Sequence, residues 1–239
     1  MLYFFIGGFM NQNITFTNTS NFLDLEKPIP ASKEIPSWYS DLNSYIGDKK
    51  IPFANDNSSP ATIKKCMPVF DLMVAGYLIK SPVDVFVSSV EGSPYYQWPA
   101  LDVITFHPIE QAPNHPNQQG IGYPKWTNHW SIKTPKGYST LFMQPVHRES
   151  IFTILPALVD TDTYSAPVNF PFILNDINFE GLIPKGTPIA QVIPIKRENW
   201  AMEFGDQESR LDQFNIAQNL KTTFFDRYKT MFRQVKVYK

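Results

Sequence analysis

The sequence predicts a mainly β fold with one core helix near 64–78 and a C-terminal helix. Three observations carry this. Aromatic residues make up 15% of the 239 and there are 21 prolines, a composition of short strands and punctuated loops in which large rings supply core and interface area. From Leu155 the chain reads LPALVDTDTYSAPVNFPFILNDINFEGLIPKGTPIAQVIPIKR, short apolar runs cut by turn signals at Asn175-Asp176 and Pro184-Lys185-Gly186. Helical spacing of apolar residues is sustained in only two places.

Taken in order, Met1 to Phe9 is apolar, lacks a basic leader and is far shorter than a membrane span. It reads as an extra strand, or as an upstream start with Met10 as the second candidate. Asn11 to Thr19 alternates as an edge strand, Lys27-Pro-Ile-Pro30 breaks regular structure, and Pro36 opens one or two helical turns to Leu42. Residues 1–60 therefore form an N-terminal arm ahead of a β-rich domain over 61–205. In that domain Ile63, Met67, Phe70, Met73-Val74 and Tyr77-Leu78 recur at helical spacing, with Gly76 near the end. Cys66, just before this helix, is expected to be buried and inert. Asp84 to Ser88 alternates as a strand, Gly92 to Pro99 is a turn carrying three aromatics, and Leu101 to Phe106 is a second strand.

His107 to Trp130 reads as a long loop holding His107, Glu110, His115 and His129. Histidine with carboxylate suits zinc or non-haem iron, but the spacing matches no ligand pattern, and no metal is expected. Trp126 and Trp130 are candidates both for pocket or interface walls and for core. Beyond a linker at 200–205, residues 206–239 form the C-terminal helix, amphipathic from Asp206 to Val235, with acids at its start and bases at its end to complement the dipole. It is expected to dock on the domain or on a neighbouring subunit.

Within Trp130 to Arg197, four segments fall in a definite order: Trp130-Ser-Ile-Lys-Thr-Pro-Lys-Gly-Tyr138, Leu158-Val-Asp-Thr-Asp-Thr-Tyr164, Ile173-Leu-Asn175, and Ile183-Pro-Lys-Gly-Thr-Pro-Ile-Ala-Gln-Val-Ile193. This order resembles the motifs of the trimeric dUTPase and dCTP deaminase superfamily, which implies a β-clip fold, a dUTPase-like distorted barrel. The resemblance also implies that Asp160 orients water and a sugar hydroxyl and that Tyr164 packs on the sugar. Departures weigh against dUTP hydrolysis. The phosphate-gripping Arg-Ser-Ser run is replaced by Gln144-Pro-Val-His147-Arg148, the glycine-rich closing arm has no counterpart, and Thr163 is inserted before Tyr164, which implies a bulge or a flipped side chain. A closer likeness, reaching back to Lys64, is to an uncharacterised family of bacterial and tailed-phage proteins with a Trp-rich loop, a Thr-Pro-x-Gly-Tyr strand and a Val-Asp-Thr-Asp hairpin.

The expected ligand site is accordingly Asp160, Tyr164, His147, Arg148 and Gln191, with His147 and Arg148 serving an anionic group; no catalytic residue is assigned. Turn chemistry is the alternative for Asp160 and Asp162, since Asp and Thr bond their own backbone in tight turns. A net charge of −1 with 18% charged residues gives no basic surplus for phosphate-backbone binding, so general nucleic-acid binding is disfavoured. A single cysteine allows no internal disulfide and suits a reducing, cytoplasmic setting, including a host cytoplasm, with a virion as the other location. The expectations are a non-hydrolytic β-clip protein, trimeric, that binds a small anionic ligand or nucleotide or a protein partner. Magnesium would enter only with a nucleotide. The alternatives are a phage virion or assembly protein and a divergent nucleotide pyrophosphatase or deaminase.

Overall fold

The computed structural model describes residues 12–21, 24–47, 61–99, 102–111, 115–116, 121–222 and 228–239. The reading of 1–9 as a strand or alternative start lies outside them. Among the described residues fourteen strands run in chain order: β1 (Thr15–Asn18), β2 (Ile29–Pro30), β3 (Tyr77–Lys80), β4 (Val85–Val90), β5 (Ser93–Gln97), β6 (Ile104–His107), β7 (Tyr123–Trp126), β8 (Trp130–Lys133), β9 (Tyr138–Met143), β10 (Phe152–Ile154), β11 (Ala157–Val159), β12 (Phe170–Leu174), β13 (Gly181–Ile183) and β14 (Pro188–Lys196). The helices are α1 (Ser37–Ser40), α2 (Met67–Met73) and α3 (Gln207–Thr222). The fold is mainly β, as the sequence predicts. No helix among the described residues is long and apolar enough to cross a membrane.

The strands form sheets ordered β11-β9-β14-β3-β2, β10-β12-β7-β6, β13-β4-β5 and β1-β8. All pairings are antiparallel. None of these sheets closes into a complete barrel. One reason is visible at the edge: β2 is a two-residue strand ending in Pro30, which has no N–H to recruit a further strand. Both β1 and β2 come from the expected arm, and they pair with β8 and β3.

The core is an aromatic cluster between the sheets. Trp126, Phe142, Phe152, Phe170 and Phe172 are all fully buried. Trp126 stacks on Phe172 at 5.2 Å between ring centroids, and Phe152 lies 5.2 Å from Trp126 and 5.3 Å from Phe172. Each buried ring contributes about 2–3 kcal/mol by leaving water, so this cluster outweighs any single polar contact described below. Trp126 is thus core, whereas Trp130 is half-buried and its Nε1 donates to the Glu26 carbonyl at 3.2 Å.

Several elements differ from the sequence reading, each for a local reason. The helix expected to 78 stops at Met73, and Tyr77 and Leu78 belong to β3. Gly76 takes a left-handed φ of +67°, and a Cβ there would lie 2.0 Å from the Val192 carbonyl oxygen. The apolar spacing that continued past Gly76 was a strand packing on β14. Tyr95 and Tyr96 lie in β5 rather than in a turn, because the two-residue reversal is Glu91-Gly92, both with positive φ, the hairpin geometry that suits strand twist. The long loop after His107 contains β7, hidden in the sequence by Gly122 and Pro124, which read as breakers. Cys66 is exposed rather than buried.

The continuous helix expected over 206–235 is also corrected. It opens as predicted, with Asp206 Oδ1 accepting from the Ser209 amide at 2.9 Å, an N-cap bond. Helix α3 is described to Thr222, Tyr228–Phe232 form one wide turn, and from Arg233 no regular structure is assigned, so no helix reaches Val235. Tertiary contacts with Asp71, described below, replace the helix there. Residues 207–217 are exposed throughout, so this stretch of α3 does not dock on its own domain.

Gly76 gives a stability test. Gly76→Ala places a methyl group against the β14 backbone at a left-handed φ. It should cost roughly 3–5 kcal/mol in chemical denaturation, whereas Gly137→Ala, with φ +88° and open space around its Cβ position, should cost roughly 1–2 kcal/mol.

Candidate functional site

The segment leaving β11 is a turn and not the two-stranded hairpin its sequence suggests, since β11 pairs with β9 and β12 lies in another sheet; its bend, called the hairpin below, has hydroxyls inside and charges outside. Thr134, Thr140 and Thr161 are buried, and Thr161 Oγ1 lies 2.8 Å from Thr134 Oγ1 and 2.7 Å from Thr140 Oγ1. This chain of hydroxyls seats the tip of the hairpin on β9. At the tip the Asp160 carbonyl accepts from the amides of Thr163 at 3.0 Å and Tyr164 at 2.8 Å. The inserted Thr163 is therefore absorbed by a turn, and no strand bulge forms. Tyr164 is exposed.

The two acids differ sharply in setting. The Asp162 side chain is 3% exposed and that of Asp160 is 62% exposed. Asp162 Oδ2 accepts from the Gly137 amide at 2.8 Å, and Arg197 bonds both Asp162 oxygens, Nη1 reaching Oδ1 at 2.9 Å. Asp160 Oδ1 accepts from Ser139 Oγ at 2.6 Å and from Arg197 Nη1 at 3.2 Å. Arg197 also donates to the Tyr138 carbonyl at 3.0 Å, and its own amide donates to the Gly137 carbonyl at 2.8 Å. The Arg197 guanidinium, followed by the Gly137 amide, holds the Asp162 carboxyl down at about 2. In return Asp162 holds Arg197 more firmly protonated. Both carboxylates face Arg197, which lies 35 and 37 residues further on.

The other residues expected at the site lie elsewhere. In the β9–β14 pairing Ser139 faces Ile195 and Met143 faces Gln191, so the acid hairpin and Gln191 stand four residues apart along a strand, about 13 Å. Gln191 is fully buried. Its Nε2 donates to the carbonyls of Leu72 at 2.9 Å and Ala75 at 2.8 Å, and its Oε1 accepts from the Val146 amide at 3.1 Å. The Arg148 guanidinium donates to the carbonyls of Glu34 at 2.7 Å, Val146 at 3.2 Å, and Met73 and Ala31 at 3.4 Å. Burial pushes its pKa down from the usual arginine value. His147 has φ +56°, and its carbonyl accepts from Trp38 Nε1 at 2.7 Å. The structure thus brings Asp160 close to Tyr164 and sets His147, Arg148 and Gln191 together at the end of α2. The two groups do not share a pocket. Among the described residues no three His, Cys, Asp or Glu side chains group to hold a metal ion.

A cleft of about 480 Å³ lies beside the hairpin. It is lined by Thr134, Pro135 and Tyr138, by Tyr77 and Pro194, by Gln12 to Ile14 of the N-terminal segment, and by the tail from Gln234 to Tyr238, which forms its roof. This volume is in the range of small-molecule sites. The tail is fixed at both ends. Arg233 Nε bonds the Asp71 carboxylate at 3.0 and 3.2 Å, Lys236 Nζ reaches it at 3.3 Å, and Arg233 lies over the Phe70 ring at 5.8 Å. Tyr238 meets Tyr77 edge to face at 6.0 Å, and Tyr77 Oη donates to the Lys239 carbonyl at 3.3 Å. The bond to Arg233 holds Asp71 below the usual carboxylate range. Arg197 and this roof escaped the sequence reading. A signal for Arg197 was its place one residue beyond β14, level with the hairpin; nothing local marks Arg233 as the partner of Asp71.

No protein-family profile and no curated protein matches the chain. Solved structures that resemble it include a mutant dUTPase from phage phi11 of S. aureus, whose structure concerns coordination of a structural Mg(II) ion. The likeness covers 82% of this chain and 97% of that one at 12% identity, with a TM-score of 0.33. A mutant dUTPase of Staphylococcus bacteriophage 80alpha with dUpNHpp matches at the same identity and TM-score, over 82% of this chain and 88% of that one. Likenesses at this level transfer no residue role.

The acid pair predicts a pH dependence. The folded pKa of Asp162 is depressed to about 2 from 3.8, so its contribution to stability is fully present above about pH 4 and is lost as pH falls toward 2. Asp162→Asn should flatten the acid limb of a stability-versus-pH curve in that window, with Asp160→Asn retaining more of it. For the tail, Asp71→Asn should speed hydrogen exchange or carboxypeptidase digestion of 233–239 while leaving the amides of β9 and β14 protected.

Proposed function

We propose that this chain is a non-hydrolytic, dUTPase-like β-clip protein of phage or bacterial origin, trimeric, that binds a small anionic ligand in the cleft roofed by its C-terminal tail. The observation that carries the reading is the pairing of a roofed cleft with acids already occupied. The cleft shares Thr134, Pro135 and Tyr138 with the loop that Asp162 clamps through Gly137. Lys236 lines it; its ammonium is bonded to Asp71 at 3.3 Å and to the Gln234 carbonyl at 3.0 Å, so an anionic group would share this cation with Asp71. Asp162 is a poor general base, since its carboxyl is held near 2 and general bases work best near the operating pH. Asp160 is engaged by Ser139 and Arg197. Arg148, the expected phosphate-binding cation, gives its donors to main-chain carbonyls. These features favour binding over the pyrophosphatase or deaminase alternative.

A second reading, a virion or assembly protein, has its own observation. Trp200, Met202 and Phe204 are 87, 85 and 88% exposed and follow one another at every second residue. A run of exposed apolar side chains of this kind suits a protein partner.

The test is thermal stability of the purified, size-measured protein against deoxy- and ribonucleotides and inorganic phosphate, with and without magnesium. A ligand at 100 times its Kd should stabilise by about 2.7 kcal/mol, several degrees of melting temperature. The shift should fall in Lys236→Gln and Tyr138→Ala. No shift from any anion, in a protein that runs as a trimer, would remove the ligand reading and leave partner binding.

A further inference from the structure

Away from the cleft, three buried polar side-chain atoms have no hydrogen-bond partner in the protein: Glu26 Oε2, Thr127 Oγ1 and His129 Nε2. The residues that carry them all line one cavity of about 10 Å³, room for a single water molecule. Other buried atoms are also unpaired, those of Tyr96, Thr105, Trp126 and Gln144 among them, but none of those residues lines this cavity. A buried polar group left without a partner destabilises the fold, and three on residues lining one space call for a common partner.

The chemistry of the three atoms specifies that partner. His129 bonds the Asp102 backbone through its other nitrogen, and burial, the larger effect, lowers its pKa. The imidazole is then neutral at pH 7 with its proton on Nδ1, so Nε2 offers a lone pair. The Glu26 carboxylate oxygen accepts only, and the Thr127 hydroxyl can donate. The occupant must therefore donate twice and accept once. We propose that this cavity is a specific site for one buried water, which donates to Glu26 Oε2 and His129 Nε2 and accepts from Thr127 Oγ1. Lys80 also lines the cavity, but its ammonium is paired with Glu34.

The site lies where the N-terminal segment crosses the body. The Thr19 amide and hydroxyl donate to the His129 carbonyl at 2.9 and 3.0 Å, and Trp130 Nε1 donates to the Glu26 carbonyl. The water adds a side-chain bridge between the same two stretches.

Two measurements test this. A crystal structure of the native chain at pH 7 should place one water within about 3.2 Å of all three atoms. Direct bonds among the three side chains, or a metal ion at that position, would overturn the proposal. In solution Thr127→Ser keeps the donor and Thr127→Val removes it. Valine should lower the melting temperature by about 2–4 °C, and serine by less. The reverse order, valine as stable as the native chain and serine below it, is what an unhydrated apolar hole would give and would refute the site.

Discussion

The side chain of Gln191 is the contact on which the central architecture rests. A helix leaves its last carbonyls without partners, and α2 ends inside the protein, where water cannot supply them. Gln191, reaching out of β14, takes two carbonyls, from Leu72 and Ala75, and presents its own oxygen to the Val146 amide. Arg148 takes a third, from Met73, and extends the same service to Ala31 and Glu34. The chain can then reverse at Gly76 and enter β3 directly against β14. A strand, a helix end, a loop and the N-terminal segment meet at these two side chains. Such buried, fully satisfied groups fix one arrangement because any other leaves polar atoms stranded.

This explains why the chemistry of the residues misled where their order did not. Glutamine and arginine at these positions look like ligand-binding groups because they carry several donors, and those donors are what an internal helix end requires. That the strands flanking the acids form no hairpin, β11 pairing with β9 and β12 with β10 and β7, was not legible; the acids as polar groups at a turn were. Their partner was not, since Arg197 meets them only after the whole of β12, β13 and β14 has been laid down. Strands with clean punctuation, such as β14 behind its Pro184-Lys185-Gly186 turn, could be read directly. The four-residue β7 could not, although β14 carries prolines of its own, because the place of β7 in the sheet depends on flanking strands remote in sequence. The helical spacing through Tyr77 and Leu78 failed for a similar reason. Two apolar residues after a glycine fit either period, and the β14 backbone decides between them.

The acid hairpin and the tail are held by the same device, a carboxylate with little exposure shared among cationic or backbone donors. Asp162 serves Gly137 and Arg197, and Asp71 serves Arg233 and Lys236. Each joins segments distant in the chain, and each stands beside the cleft rather than within it. The cleft itself is lined by tyrosine, proline, valine, amides and one lysine.

The return of the tail to Asp71 also bears on the continuity of the polypeptide. Between the end of β14 and Arg233 the chain makes an excursion whose described residues are largely exposed, and both its ends are tied to the same body. A single peptide-bond cleavage in α3 would therefore leave the last residues seated by ion pairs and ring contacts. The molecule would keep its roof as a non-covalent fragment, and intact and nicked forms would be the same size in solution while differing under denaturing conditions.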